Sequence, residues 1–349
     1  MVLGAAESPV LSFDVGGTDI KAGLVDPHGT VLGMRRVPTP LDSQRPGEAV
    51  LDRIAELAAE LTAEFPEAKA QAAGIIVPGI VDSTSGVGIY SANLGWRNFP
   101  FTREAERRLG IPVAFDHDVR SAAAVEHTFG GSREFKDVVV MVVGTGIAAA
   151  VFSGGKAVTA GGFAGELGHA QVPDPDAGHG NGHGGDPGRT RRTGRTRRTG
   201  TTGTTRTTGT TGYTILEAVG SAGAVARRYQ AATGVEVQGA REVLIRARSQ
   251  DAVAARIWDD AVRALAFTIC QCVNIIGTEA VVIGGGLAEA GDELLRPLRS
   301  TVDAMLDFQR RPQLIRAQLG QDAGLLGAAM NARALLGTME STAHRRRQP

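Results

Sequence analysis

The residues best suited to chemistry in this chain sit in glycine turns that close short apolar runs. In FDVGGTDIKAGLVD, residues 13–26, Gly16 and Gly17 permit a tight turn whose N–H groups can point at an anion. Thr18 adds a hydroxyl and Lys21 a cation, a set that suits phosphate. Asp14 cannot itself favour phosphate. It makes sense there if it orients Mg2+ through water, because that cation takes hard oxygen ligands. A plain hairpin turn with an incidental lysine is the competing reading. A second copy of the arrangement is VVVMVVGTGIAAAVFSGG, residues 138–155, with Gly144, Thr145 and Gly146 at its turn. Two such turns can clamp a polyphosphate from both sides. A third cluster, Gly284, Gly285 and Gly286 after AVVI, either lets a flat adenine ring approach the backbone or simply leads into the next helix.

The elements that must position these turns follow from periodicity. Residues 9–13 and 20–25 read as two strands of a hairpin around the first turn. From 47 to 64, Val50, Ile54, Leu57 and Leu61 recur at helical spacing behind Pro46. Apolar runs at 73–77, 138–143 and 280–283 end in glycine and read as buried strands. Helices are expected at 119–128, 216–232, 251–276, 288–306 and 322–337. Strands alternating with helices, twice over, predict an α/β protein of two lobes around a cleft.

The 349 residues suffice for two domains, and 47 glycines with only 5% aromatic residues imply close packing of small side chains. Lys plus Arg and Asp plus Glu both number 37, but seven arginines lie in 189–206 and three at 345–347. Removing those ten leaves a remainder of −10, which gives no reason to expect nucleic-acid binding. The hexamer repeated at 189–212 (RTRRTG, RTRRTG, TTGTTR, TTGTTG) has no apolar side chain to offset its ordering entropy and is expected to be a disordered loop. Only Cys270 and Cys272 occur, so no disulfide framework is expected. Glu7 sits where a signal peptide needs positive charge, and no apolar run nears 18 residues, so a soluble cytoplasmic protein without membrane contact is expected.

These turns, with FDHDVRSAAAVE at 115–126, AGELGH at 164–169 and GQDAGLLGAAMNARALL from 320, resemble the ROK family of sugar kinases and sugar-responsive repressors. The resemblance runs from about residue 10 to about 338 and implies the actin-like, hexokinase-type (ribonuclease H-like) ATPase fold. It implies an N-terminal lobe over 1–117 and a C-terminal lobe over 118–320. A closing helix at 322–338 would pack back on the first lobe, with an insertion at 187–213 and a basic tail at 339–349. Asp118 would be the base that takes the proton from a sugar hydroxyl, with ATP and Mg2+ required. As a residue read alone, Asp118 could equally be a helix N-cap. The family pattern most often has Asn on either side of the base, where this chain has His117 and Arg120. The implied sugar pocket comprises Gly79, Asn93, His117, Asp118, Glu166, His169 and Glu217.

Glucose, phosphorylated at its 6-hydroxyl, is the expected substrate, with N-acetylmannosamine or fructose as alternatives, and a homo-oligomer of two or four chains is implied. An inactive sugar-binding regulator is the rival reading. A repressor of this kind carries a helix-turn-helix before the first glycine turn, which here begins already at Asp14.

Many relatives pair the histidine at 169 with three cysteines in a structural zinc site, about ten, twelve and seventeen residues on; here those positions are His179, Asn181 and Asp186. His169, His179 and Asp186, with His183 nearby, could supply nitrogen and oxygen ligands to zinc, while a metal-free loop is the alternative. Elemental analysis of protein purified without a histidine tag is expected to find partial zinc that mild chelation removes, with sugar affinity falling as it leaves. Stoichiometric zinc that survives chelation, or none under excess zinc, would contradict that expectation.

Overall fold

The computed structural model describes residues 1–3, 8–177 and 212–346; all of the repeat except Gly212 lies outside them. The first lobe opens with the hairpin β1 (Val10–Val15) and β2 (Asp19–Val25), then β3 (Val31–Pro38), α1 (Pro46–Glu64) and β4 (Ala73–Val77). A small sheet of β5 (Ile80–Asp82), β6 (Val87–Tyr90) and β7 (Arg97–Phe99) precedes α2 (Phe101–Leu109) and β8 (Val113–His117). After α3 (Asp118–Phe129), the second lobe contains β9 (Val138–Val143), β10 (Ile147–Ser153), β11 (Lys156–Ala157), β12 (Gln171–Pro173) and β13 (Tyr213–Ile215). It continues through α4 (Leu216–Gly220), α5 (Ala222–Thr233), α6 (Ala240–Arg248), α7 (Ala252–Ile276), β14 (Ala280–Gly284), α8 (Asp292–Met305) and β15 (Gln313–Arg316), and α9 (Ala323–Arg346) closes the chain.

The two main sheets repeat one topology: β3-β2-β1-β4-β8 and β11-β10-β9-β14-β15. In each, an antiparallel hairpin supplies the strand beside which two parallel strands are laid. Parallel strands covered on both faces need continuous apolar sequence, which Ala73–Val77 and Ala280–Gly284 provide with every residue buried. Their carboxyl ends therefore deliver Asp14, Gly79 and Asp118 to one edge of the first sheet, and Gly144 and Gly284 to one edge of the second. Helix α1 buries Val50, Leu51, Ile54, Leu57 and Leu61, worth about 1.5–3 kcal/mol each by transfer. The longest helix, α7, starts under an Asp251 cap that accepts from Val253 and Ala254 N–H at 3.0 Å and stops at left-handed Gly277.

Three expected helices differ. The single helix at 216–232 breaks at Ser221, because Ala222 N–H is drawn to the Gly144 carbonyl at 2.8 Å and Ser221 caps a new helix. The helix at 288–306 begins instead as a 3-10 turn, Gly286–Ala290, and α8 starts beyond Gly291, whose φ of 57° interrupts the run. Helix α9 does not end near 338: with no proline or left-handed glycine to stop it, residues 339–346 are helical, so the expected tail is largely a helix extension.

Helix α9 packs on β1, β2, β4 and β8 and also along α3, while α3 lies against β9 and β10. The approach is a backbone one. A Cβ at Gly74 would fall far inside contact distance of the Ala328 carbonyl, and one at Gly327 would strike the Ser121 backbone. Ser12 Oγ donates to Leu325 O at 2.5 Å and Asn331 Nδ2 to Ser121 Oγ at 2.9 Å. Gly74→Ala is therefore expected to destabilise by about 1–3 kcal/mol through overpacking. Gly337→Ala, in open space on the same helix, should stabilise by about 0.5–1 kcal/mol. Denaturant unfolding of both variants checks this; equal tolerance of both would contradict it.

Candidate active site

Asp14 lies one residue before the end of β1 and pairs across the hairpin with Lys21, so both side chains share one face. Lys21 Nζ is 3.8 Å from Asp14 Oδ2. At the turn, Gly16 N–H donates to Asp19 O at 2.8 Å, and Thr39 N–H donates to Thr18 O at the same distance. Gly16 N–H thus closes the hairpin rather than facing an anion, and Gly17 and Thr18 are left exposed at the tip. Helix α9 roofs the carboxylate so closely that a Cβ at Gly324 would strike Asp14. This burial pushes Asp14 from its ordinary 3.8 up to about 6; the Lys21 ammonium opposes the rise and the Asp118 charge adds to it.

Asp118 comes into place where β8 passes directly into α3. It is the first residue of the helix, and the N-cap is His117, whose Nδ1 lies 3.4 Å from Arg120 N. The N-cap reading of Asp118 is therefore off by one residue, because the extended conformation falls on His117. Asp118 Oδ1 accepts from Val119 N–H at 2.6 Å and lies 3.2 Å from His117 Nδ1. Beneath them, Asp116 Oδ1 accepts from His117 N–H at 2.7 Å and from Arg120 Nε at 2.8 Å, and pairs again with Arg120 Nη2. This part-buried ion pair escaped the sequence reading, although Asp and Arg four apart across a helix start are its signal.

Asp14, Asp118 and all three of Gly284, Gly285 and Gly286 line one cavity of about 400 Å³. Gly285 takes a φ of +80°, and a Cβ there would meet the Val143 carbonyl at 2.6 Å, so this loop needs glycine to pack on β9. Glu126 also reaches the cavity wall, and accepts from Gln318 and Leu319 N–H at 2.8 and 3.0 Å to fasten the chain entering α9. Neither Gly16–Thr18 nor Gly144–Gly146 lines the cavity. Thr145 is exposed at the second turn, which Gly144 N–H closes on Gly146 O at 2.9 Å. Glu217 buttresses that turn by accepting from Ile147 N–H at 2.8 Å.

The residues expected to hold a sugar separate. His117, Arg120 and Glu166 line a recess of only about 10 Å³, against Ala149 and Gly162. Gly162 (φ 93°) rests on the Val81 backbone and so carries a loop of the second lobe onto β5 of the first. His169 is exposed at the end of the 3-10 turn Leu167–His169. Gly79 is required by its φ of +108° and by the Tyr90 carbonyl, which fills the space a side chain would take. Asn93 is exposed and lines none of these spaces. His179, His183 and Asp186 lie outside the described residues, and no cluster of three or more potential metal ligands occurs among the described residues. Nor is any described helix long and apolar enough to cross a membrane.

The raised Asp14 makes a signed prediction. A carboxylate raised from 3.8 to about 6 carries no folding penalty below the lower value; the penalty grows as pH rises and is complete above the upper one, at about 3 kcal/mol. The stability of Asp14→Asn relative to wild type should therefore rise by about that amount between pH 4 and pH 8. Denaturant unfolding at the two pH values reads it, and a pH-independent difference would contradict the burial argument.

The family model described as "ROK family" matches residues 10–334. A glucokinase of Streptomyces coelicolor is 29% identical over 330 residues, covering 93% of this chain and 97% of that protein. An N-acetylmannosamine kinase of Shigella flexneri is 31% identical over 329 residues, covering 93% and 98%. The solved structure of a ROK family glucokinase from Streptomyces griseus, in complex with glucose and AMPPNP, superimposes with a TM-score of 0.69 at 26% identity, covering 94% of this chain and 100% of that one. The chain belongs to the ROK family, as a sugar kinase with the two-lobed actin-like ATPase fold.

Proposed function

We propose that this kinase uses ATP to phosphorylate a hexose, with glucose as the acceptor and its 6-hydroxyl as the nucleophile. One observation carries the reading: a carboxylate at the start of a helix, Asp118, shares a cavity with the glycine loop 284–286 and with the buried carboxylate Asp14. A carboxylate placed within reach of an acceptor hydroxyl is the group a base requires. Asp118 takes the proton of the acceptor hydroxyl as that oxygen attacks the terminal phosphorus of ATP, and ADP leaves. Lys21 offers a positive charge beside the phosphates.

Asp14 is the residue that would hold Mg2+. A desolvated carboxylate with a second carboxylate acting on it lacks positive charge, and its hard oxygens match that ion. When bound, the ion would neutralise charge developing on the phosphates. The recess at His117 and Glu166 is too small for a hexose, so the loop bearing Gly162 would have to lift from Val81 to admit one. Support for glucose comes from the glucokinase relatives, while the Shigella relative makes N-acetylmannosamine the second candidate.

The test is ADP release across a panel of hexoses and N-acetylhexosamines, for wild type and Asp118→Asn. Glucose should give the highest kcat/KM, and the variant should lose about 10²–10⁴ in kcat. A preference for N-acetylmannosamine would move the acceptor and keep the mechanism; near wild-type turnover in Asp118→Asn would remove the mechanism.

A further inference from the structure

We propose that Arg316 is a nucleotide-binding residue that Glu289 holds as a counter-ion until ATP enters: the guanidinium then leaves that carboxylate and takes two phosphate oxygens. The inference rests on ATP being the donor. It adds to that reading a phosphate ligand outside the glycine turns and Lys21.

The charge lining the cavity leads there. Asp14, Asp118, Glu126 and Glu289 bring four carboxylates to its wall, and Arg316 is the only cation among the described residues that line it. Lys21 stands beside Asp14 and is not part of that lining. Glu126 is occupied with the N–H groups of Gln318 and Leu319. A polyphosphate entering such a cavity needs a cation on the wall, and a guanidinium can bond two of its oxygens at once.

Arg316 is placed for this by β15. It is the last residue of that strand and pairs with Ile283 of β14, directly before Gly284. Ala317 N–H donates to Ile283 O at 2.9 Å, and a Cβ on Gly284 would come to 3.4 Å from that of Ala317. The backbone that carries the arginine is thus fixed against the glycine loop. Glu289 lies on the 3-10 turn Gly286–Ala290 that continues the same loop, and it accepts from Arg316 Nη2 at 2.5 Å. The two side chains are 46% and 74% exposed, and an ion pair this open is weak. A phosphate chain, with several negative charges, is the stronger partner.

Steady-state kinetics and calorimetry of ADP binding on the full-length enzyme test this. Arg316→Ala should raise the ATP KM about tenfold or more, with kcat and the acceptor KM within about threefold, and should weaken ADP binding by the same factor. Inhibition by adenosine, which has no phosphate, should stay within about twofold. Glu289→Gln should act in the opposite direction and lower the ATP KM about two- to fivefold at low salt, because the arginine has lost its other partner. In an Arg316→Ala background that gain should vanish. An unmoved ATP KM and ADP affinity in Arg316→Ala overturns the proposal, as does an equal loss for adenosine, which would put the arginine on the base. A gain from Glu289→Gln that persists without Arg316 overturns the exchange. Absence of ADP binding by the wild type overturns the ATP reading itself, and the inference with it. Should Arg316→Ala fail to fold, Arg316→Lys replaces it. Lysine keeps the charge and loses the planar fork, so the ATP KM should still rise about threefold or more, and a wild-type KM overturns the two-oxygen contact.

Discussion

Helix α9 reaches β4 and α3 through bare backbone, and the site depends on that approach. Gly74 faces the Ala328 carbonyl, Gly327 faces Ser121, and Gly324 passes over the Asp14 carboxylate. Three glycines thus let α9 lie on the first sheet and along α3, where the bonds of Ser12 Oγ to Leu325 O and of Asn331 to Ser121 lock its register. The burial of Asp14 is a direct result, since the roof over it is the start of this helix. A larger side chain at any of the three positions would lift the roof, admit water and relax Asp14 toward an ordinary carboxylate.

The electrostatics of the cavity follow from its walls. Asp14 arrives on β1 and Asp118 at the start of α3, so the two negative charges come from neighbouring parts of one sheet edge. Lys21 compensates in part at 3.8 Å, and the rest of the imbalance is charge that a cation bound with the phosphates would answer. The Asp116–Arg120 pair beneath is internally neutral, so it stiffens the junction between β8 and α3 without adding net charge. Positioning and charge are thereby assigned to different residues.

Much of this was legible in the sequence because it is local. The hairpin around Gly16 and Gly17, the apolar face of α1, and the strands at 73–77 and 138–143 are written in short-range periodicity. The resemblance to the ROK family added Asp118, whose neighbours alone give only a helix start. What could not be read is what tertiary contacts decide. The break at Ser221 exists because Ala222 is bonded to Gly144, far away in the chain. Glu217 holds the Ile147 N–H, a contact that no pattern around residue 217 announces. Gly79, expected in the sugar pocket, is also fixed by a contact far from its own motif, because the Tyr90 carbonyl fills the space that a side chain would take.

The central claim is that Asp118 stands at the acceptor oxygen while the phosphates lie over Asp14 and the 284–286 loop. A crystal structure with glucose and a non-hydrolysable ATP analogue measures it most directly. The expected result is the glucose 6-oxygen about 2.6–3.2 Å from an oxygen of the Asp118 carboxylate and in line with the terminal phosphorus. A glucose whose 6-oxygen is out of reach of Asp118, with the phosphates seated away from Asp14, would contradict it.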